Sequence, residues 1–175
     1  MSTFATNILG LDIGARQIGV SILRNEELVF YAVKSIKRNS KTKVLKQLEK
    51  VLTALIEKYD IEVFTLKKIV YRQQQNSFVK TVYEETKDFA LNQNIRLFEY
   101  NPKLIRQIIC GLEKPTKRNT ALLLTQRYAE LARYFNVPKL WQKRYLAQLF
   151  DAIAVGLVCA RELKETKQLS ATNSR

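Results

Sequence analysis

The 175-residue chain contains no histidine. That absence excludes Ser-His-Asp and Cys-His catalytic triads, zinc deaminases and histidine-containing zinc fingers together. Only two cysteines are present, Cys110 and Cys159, both in apolar helical surroundings. They read as reduced, buried thiols, not as a bridge. Long uncharged apolar runs are also missing. The longest, Leu149 to Ala160, is broken by Asp151 and is too short to span a bilayer. No secretory pattern opens the sequence, and no basic amphipathic helix shows an aromatic apolar face, so no membrane partner is expected. The expected compartment is the cytoplasm or an organellar matrix. Acid is scarce: 16 Asp and Glu stand against 30 Lys and Arg, a formal charge of +14. Such a field draws polyanions, and nucleic acid is the expected partner. Any chemistry must rest on carboxylates, lysines, tyrosines and a hard ion such as Mg²⁺.

What is present begins at Ile8-Leu-Gly-Leu-Asp-Ile-Gly-Ala15. Apolar residues on both sides of Asp12 leave no alternation, so this reads as a fully buried central strand carrying one carboxylate. A lone buried carboxylate is costly unless something pairs with it or coordinates it. Gly14 then marks a place where the backbone turns closely around a phosphate or a metal.

The periodicities predict strands near Asn7–Ile13, Ile18–Leu23, Leu28–Val33, Leu66–Tyr71 and Ile95–Tyr100. Helices are expected after Ser40 as N-cap, over Ser77–Leu91, from Pro102 to Gly111, over Asn119–Phe135 and over Arg144–Lys164. This is an α/β layout: a mixed five-stranded sheet, three antiparallel strands then two parallel, flanked by helices. The length suits one domain over residues 1–165, with 166–175 as a polar tail expected to be disordered. No internal repeat is visible.

Three segments in order carry a resemblance: Leu11-Asp-Ile-Gly-Ala15, Val70-Tyr-Arg-Gln-Gln-Gln-Asn-Ser77 and Leu149-Phe-Asp-Ala-Ile-Ala-Val155. Together they resemble the RuvC-type Holliday junction resolvases of the ribonuclease-H-like fold, above all the mitochondrial and poxviral branches. An acid-x-Gly strand also opens actin-like kinases, but those need two such domains. The resemblance implies four carboxylates around two Mg²⁺ ions that activate water and stabilise the leaving oxygen. Asp12 and Asp151 fill the first and last positions. Tyr71 stands where the family has a strand-four Glu, and Gln148 where it has another Asp. Two neutral groups leave a two-metal charge poorly compensated, so Mg²⁺ at Asp12 and Asp151 is expected to be weak.

Phosphate contacts are expected from Lys103, Arg106, Lys114, Lys117 and Arg118, and from Arg72, which matches a family arginine. A second basic group, Lys34, Lys37, Arg38, Lys41, Lys43, Lys46 and Lys50, surrounds the first long helix. The resemblance implies a homodimer. Phe78, Val82, Thr86 and Phe89 form one helical stripe, suited either to that contact or to the core. The leading expectation is a resolvase-like protein that binds branched or structured DNA, in the setting of recombination and repair, with catalysis lost or strongly reduced. An active Mg²⁺-dependent junction endonuclease, with Gln148 lending a neutral oxygen ligand, is the first alternative. A non-catalytic RNA or ribonucleoprotein scaffold is the second.

Overall fold

The computed structural model describes residues 5–36, 40–70 and 77–172. Five strands, β1 (Asn7–Ile13), β2 (Gln17–Arg24), β3 (Glu27–Ser35), β4 (Val63–Lys67) and β5 (Arg96–Tyr100), form one sheet in the order β3-β2-β1-β4-β5. The first three are antiparallel neighbours, and β4 and β5 run parallel to β1. This is the mixed sheet expected from the sequence. Among the described residues six α-helices flank it: α1 (Lys41–Tyr59), α2 (Ser77–Asn92), α3 (Pro102–Cys110), α4 (Lys117–Arg127), α5 (Ala132–Phe135) and α6 (Leu140–Thr172).

The sheet separates two cores. Leu9, Leu11 and Ile13 of β1 face α1 and α2, packing with Val44, Leu52, Phe64 and Val82. Ile8 faces the other way, toward Ile153, Leu157 and neighbouring residues of α6. Alternation along β1 therefore directs Asp12 to the α6 side. The α2 stripe resolves in favour of the core: Val82 and Thr86 are buried, and Phe78 and Phe89 pack against the same apolar cluster.

α6 lies unusually close to β1 and β2. A Cβ on Gly19 would stand 1.9 Å from the Gln148 carbonyl oxygen, and one on Gly10 would stand 2.5 Å from that of Ala152. Ser21 Oγ donates to the Ala152 carbonyl at 2.8 Å, fixing the helix in that seat. Glycine is required here for space. Gly19→Ala must push α6 outward, and overpacking of this kind costs about 1–3 kcal/mol. Thermal unfolding is expected to report a Tm lowered by roughly 3–10 °C.

Several boundaries differ from the expectation. β4 begins at Val63 and ends at Lys67, not at Tyr71. The parallel register from Ile8↔Val63 to Leu11↔Leu66 sets that span. The helix expected over Asn119–Phe135 starts earlier, capped by Thr116, whose side chain accepts from Asn119 N, and it breaks at Tyr128. The Tyr128 hydroxyl donates to the Glu26 carbonyl at 2.7 Å, and a short 3₁₀ turn, Ala129–Leu131, follows. α6 continues through Thr172, so much of the segment expected as a disordered tail is helical, and Lys167 Nζ donates to Thr6 Oγ1 at 3.0 Å. Ser40 caps α1 as expected.

Candidate nucleic-acid interface and carboxylate centre

The β1–β4 register places Leu11 beside Leu66, so the next residue on each strand is Asp12 and Lys67. Both lie at the carboxyl ends of parallel strands, where ligand sites of α/β sheets collect. α6 brings Asp151 to the same point. Lys67 Nζ donates to Asp12 Oδ2 at 2.8 Å and to Asp151 Oδ2 at 2.5 Å. The two carboxylates thus converge on one ammonium.

Asp12 keeps only 5 % side-chain exposure. Burial is the main influence on its carboxyl and raises it from the ordinary 3.8 to about 6; Lys67 opposes that rise, and the Asp151 charge adds to it. Burial, the largest single influence, lowers the Lys67 ammonium, but Asp12 and Asp151 together outweigh it and hold it above its ordinary value. With both carboxylates ionised and Lys67 an ammonium, the triad carries one net negative charge.

The Gln148 amide is tied into a hydrogen-bond network on the flank of the centre. Its Oε1 accepts from Gln17 Nε2, which also donates to the Tyr145 carbonyl at 2.9 Å. Its other amide end packs against Gly14, where a Cβ would stand 1.9 Å from Gln148 Nε2. The sequence suggests that Gly14 makes room for a phosphate or metal; the group that needs the room is Gln148. Tyr71 and Arg72 lie outside the described residues. The residue beside Asp12 at the end of strand four is Lys67, a position that sequence reading misses by placing the end of the strand four residues too late.

An open cleft of about 610 Å³ adjoins this triad. Asp12, Lys67 and Gln148 line it, together with Lys68, Lys103, Arg106 and Lys117. Lys103 lies in the first turn of α3, which Asn101 caps, and Lys117 is the first residue of α4. Two helix N-termini, each free of acidic residues in its first turn, therefore border a cationic cleft, an arrangement suited to anions. Lys114 and Arg118, also expected at this surface, are exposed on the neighbouring loop and on α4 but do not line the cleft. Of the second basic group, Lys34, Lys41, Lys43, Lys46 and Lys50 are exposed on or near α1, which packs on the opposite face from α6. Lys37 and Arg38 lie outside the described residues.

A mixed sheet with acids meeting at its carboxyl edge defines the class: a ribonuclease-H-like fold of the resolvase type. Residues 8–158 match the family model of crossover junction endodeoxyribonuclease RuvC, and the chain belongs to that family. It is 24 % identical over 177 residues to crossover junction endodeoxyribonuclease RuvC of Mannheimia succiniciproducens, covering 97 % of this chain and 83 % of the relative. Its fold is similar to T. thermophilus RuvC solved in complex with Holliday junction substrate (TM-score 0.68, 14 % identity, 87 % of this chain and 90 % of that one). It is also similar to the yeast mitochondrial Holliday junction resolvase (TM-score 0.65, 12 % identity, 96 % and 84 %).

The family implies a divalent metal, and the donors here do not suit one. Among the described residues no three His, Cys, Asp or Glu side chains converge. Lys67 engages one oxygen of each aspartate, and the Gln148 oxygen is bound to Gln17. A cation repelled by a fixed ammonium, and met by only two carboxylates, lacks the charge a two-metal site needs. Among the described residues no helix is long and apolar enough to cross a membrane.

Proposed function

We propose that this protein binds branched DNA, four-way junctions above all, and does not cleave it. The observation that carries this reading is the Lys67 ammonium seated between Asp12 and Asp151 beneath a cationic cleft. The family supplies the substrate class. The cleft supplies cations and helix N-termini for phosphates. The triad lacks the anionic charge needed for metal-assisted hydrolysis. Such a protein would shield junctions or hand them to a partner. The unit that meets a two-fold junction is a homodimer, since a symmetric substrate calls for symmetric contacts. Of the α2 stripe, Val82 and Thr86 are buried and Phe78 and Phe89 are partly buried against the core.

Fluorescence anisotropy on a labelled junction, a linear duplex and a structured RNA across a salt series tests this reading. Tighter binding to the junction is expected, with log K falling linearly in log salt. Replacing Lys103, Arg106 and Lys117 by Ala together should reduce that slope by roughly 2–3, about 0.9 per phosphate contact on duplex arms. Equal affinity for junction and duplex overturns structure-specific binding. A preference for the RNA favours a ribonucleoprotein role. An unchanged slope removes these three residues from the interface.

A further inference from the structure

We infer that Lys67 is a built-in cation: it occupies the place of a divalent ion between Asp12 and Asp151, offsets part of their charge and presents its remaining N–H to a DNA phosphate, so the cleft engages DNA with no bound metal. The second half rests on the DNA-binding reading above; the first does not.

The geometry supports both halves. An ammonium has three donors. Among the described residues, two go to Asp12 and Asp151, and the side chain keeps 19 % exposure on the cleft wall. The carboxylates hold the ammonium in place, as they would hold an ion. The cations Lys103, Arg106 and Lys117 line the same cleft, so a phosphate backbone entering there also meets Lys67. A lysine is a compact point charge, suited to a single phosphate oxygen and not to a bidentate grip. Unlike a metal, it is tethered to β4 and cannot be removed by a chelator. Gln148, secured by Gln17, fills the flank of the centre with a neutral group and adds no competing charge.

The test uses the full chain. Titrating Mn²⁺ into protein without DNA, and reading the free-ion signal by electron paramagnetic resonance, should show no stoichiometric uptake by the wild type. Lys67→Glu should take up the ion. If that variant does not fold without metal, Lys67→Gln provides the comparison and should take up Mn²⁺ more weakly. In the second arm, the wild type should bind linear duplex and junction in chelator as tightly as in Mg²⁺ at matched ionic strength, within about twofold. Lys67→Gln should weaken binding by about tenfold through loss of one charge-assisted contact, and Lys67→Arg should retain most of the affinity. Wild-type uptake of Mn²⁺ that Asp12→Asn abolishes overturns the built-in cation, even if the junction preference stands. Exclusion of Mn²⁺ without junction preference supports the built-in cation and sinks the junction-specific reading instead. An unchanged affinity of folded Lys67→Gln overturns the phosphate contact.

Discussion

Combining Lys67→Glu with Gln148→Asp is expected to turn the protein into a metal-dependent junction nuclease. The two changes remove one positive charge and add two negative ones around Asp12 and Asp151. Positions 148 and 151 share a face of α6 about one turn apart, so the new carboxylate on this helix would be directed, like Asp151, at the sheet end that carries Asp12. The carboxylate introduced at position 67 would stand in register beside Asp12. Four carboxylates then match the set that the family needs for two metal ions. Metal assistance worth several kcal/mol corresponds to roughly 10³-fold or more in rate, because each 1.36 kcal/mol is tenfold. The check is Mg²⁺- or Mn²⁺-dependent nicking of a synthetic junction by the double variant, with Asp12→Asn added as control. Stoichiometric metal uptake without nicking would mean that the charge set is sufficient for binding but that the ligands are misplaced for chemistry.

Lys67→Met is expected to destabilise the fold by roughly 3 kcal/mol at neutral pH, since removing one partner strands buried charge. For a chain of this size that is a Tm lower by about 6–12 °C. The loss is capped because a stranded carboxyl protonates instead of staying charged. The pH dependence identifies the cause. Asp12 titrates near 6 in the fold against an ordinary 3.8. Between those values rising pH ionises the unfolded chain first, so this group makes stability fall as pH rises. Removing Lys67 lifts the folded midpoint further and extends the fall above 6. The deficit of Lys67→Met should therefore widen from about pH 6 to 8 and narrow in acid, and Asp12→Asn on the same background should recover most of it. Chemical denaturation at several pH values reads this directly. A deficit independent of pH would assign the loss to packing.

Much of this molecule can be read from residue order because the signals are local. The buried run around Asp12, the apolar repeat of α1 with its Ser40 cap, and Pro102 and Gly111 at the ends of α3 each depend on neighbours in sequence, and each corresponds to an observed element. Lys67 depends on something else. Val63-Phe-Thr-Leu and Ile69-Val-Tyr are both apolar and flank two lysines. Nothing local says which run is the strand, and a lysine at a strand end reads as surface charge. Only pairing with β1 puts Lys67 next to Asp12. The triplet Tyr71-Arg72-Gln73, through its likeness to the family motif, draws the expected strand toward itself. The break at Tyr128 is likewise tertiary, fixed by a hydrogen bond to a carbonyl about a hundred residues away. Asp151 is legible only through the ordered resemblance, because an isolated Asp in an apolar helix has no partner within its own sequence window.

That the Asp12–Asp151 centre, with Lys67 seated between its carboxylates, supports no metal-dependent cleavage is central to the proposed function. A cleavage assay on a synthetic four-way junction, with wild-type protein and either Mg²⁺ or Mn²⁺, tests it most directly. A bound, intact junction is the predicted result. Paired nicks that require the metal and vanish in Asp12→Asn would contradict it.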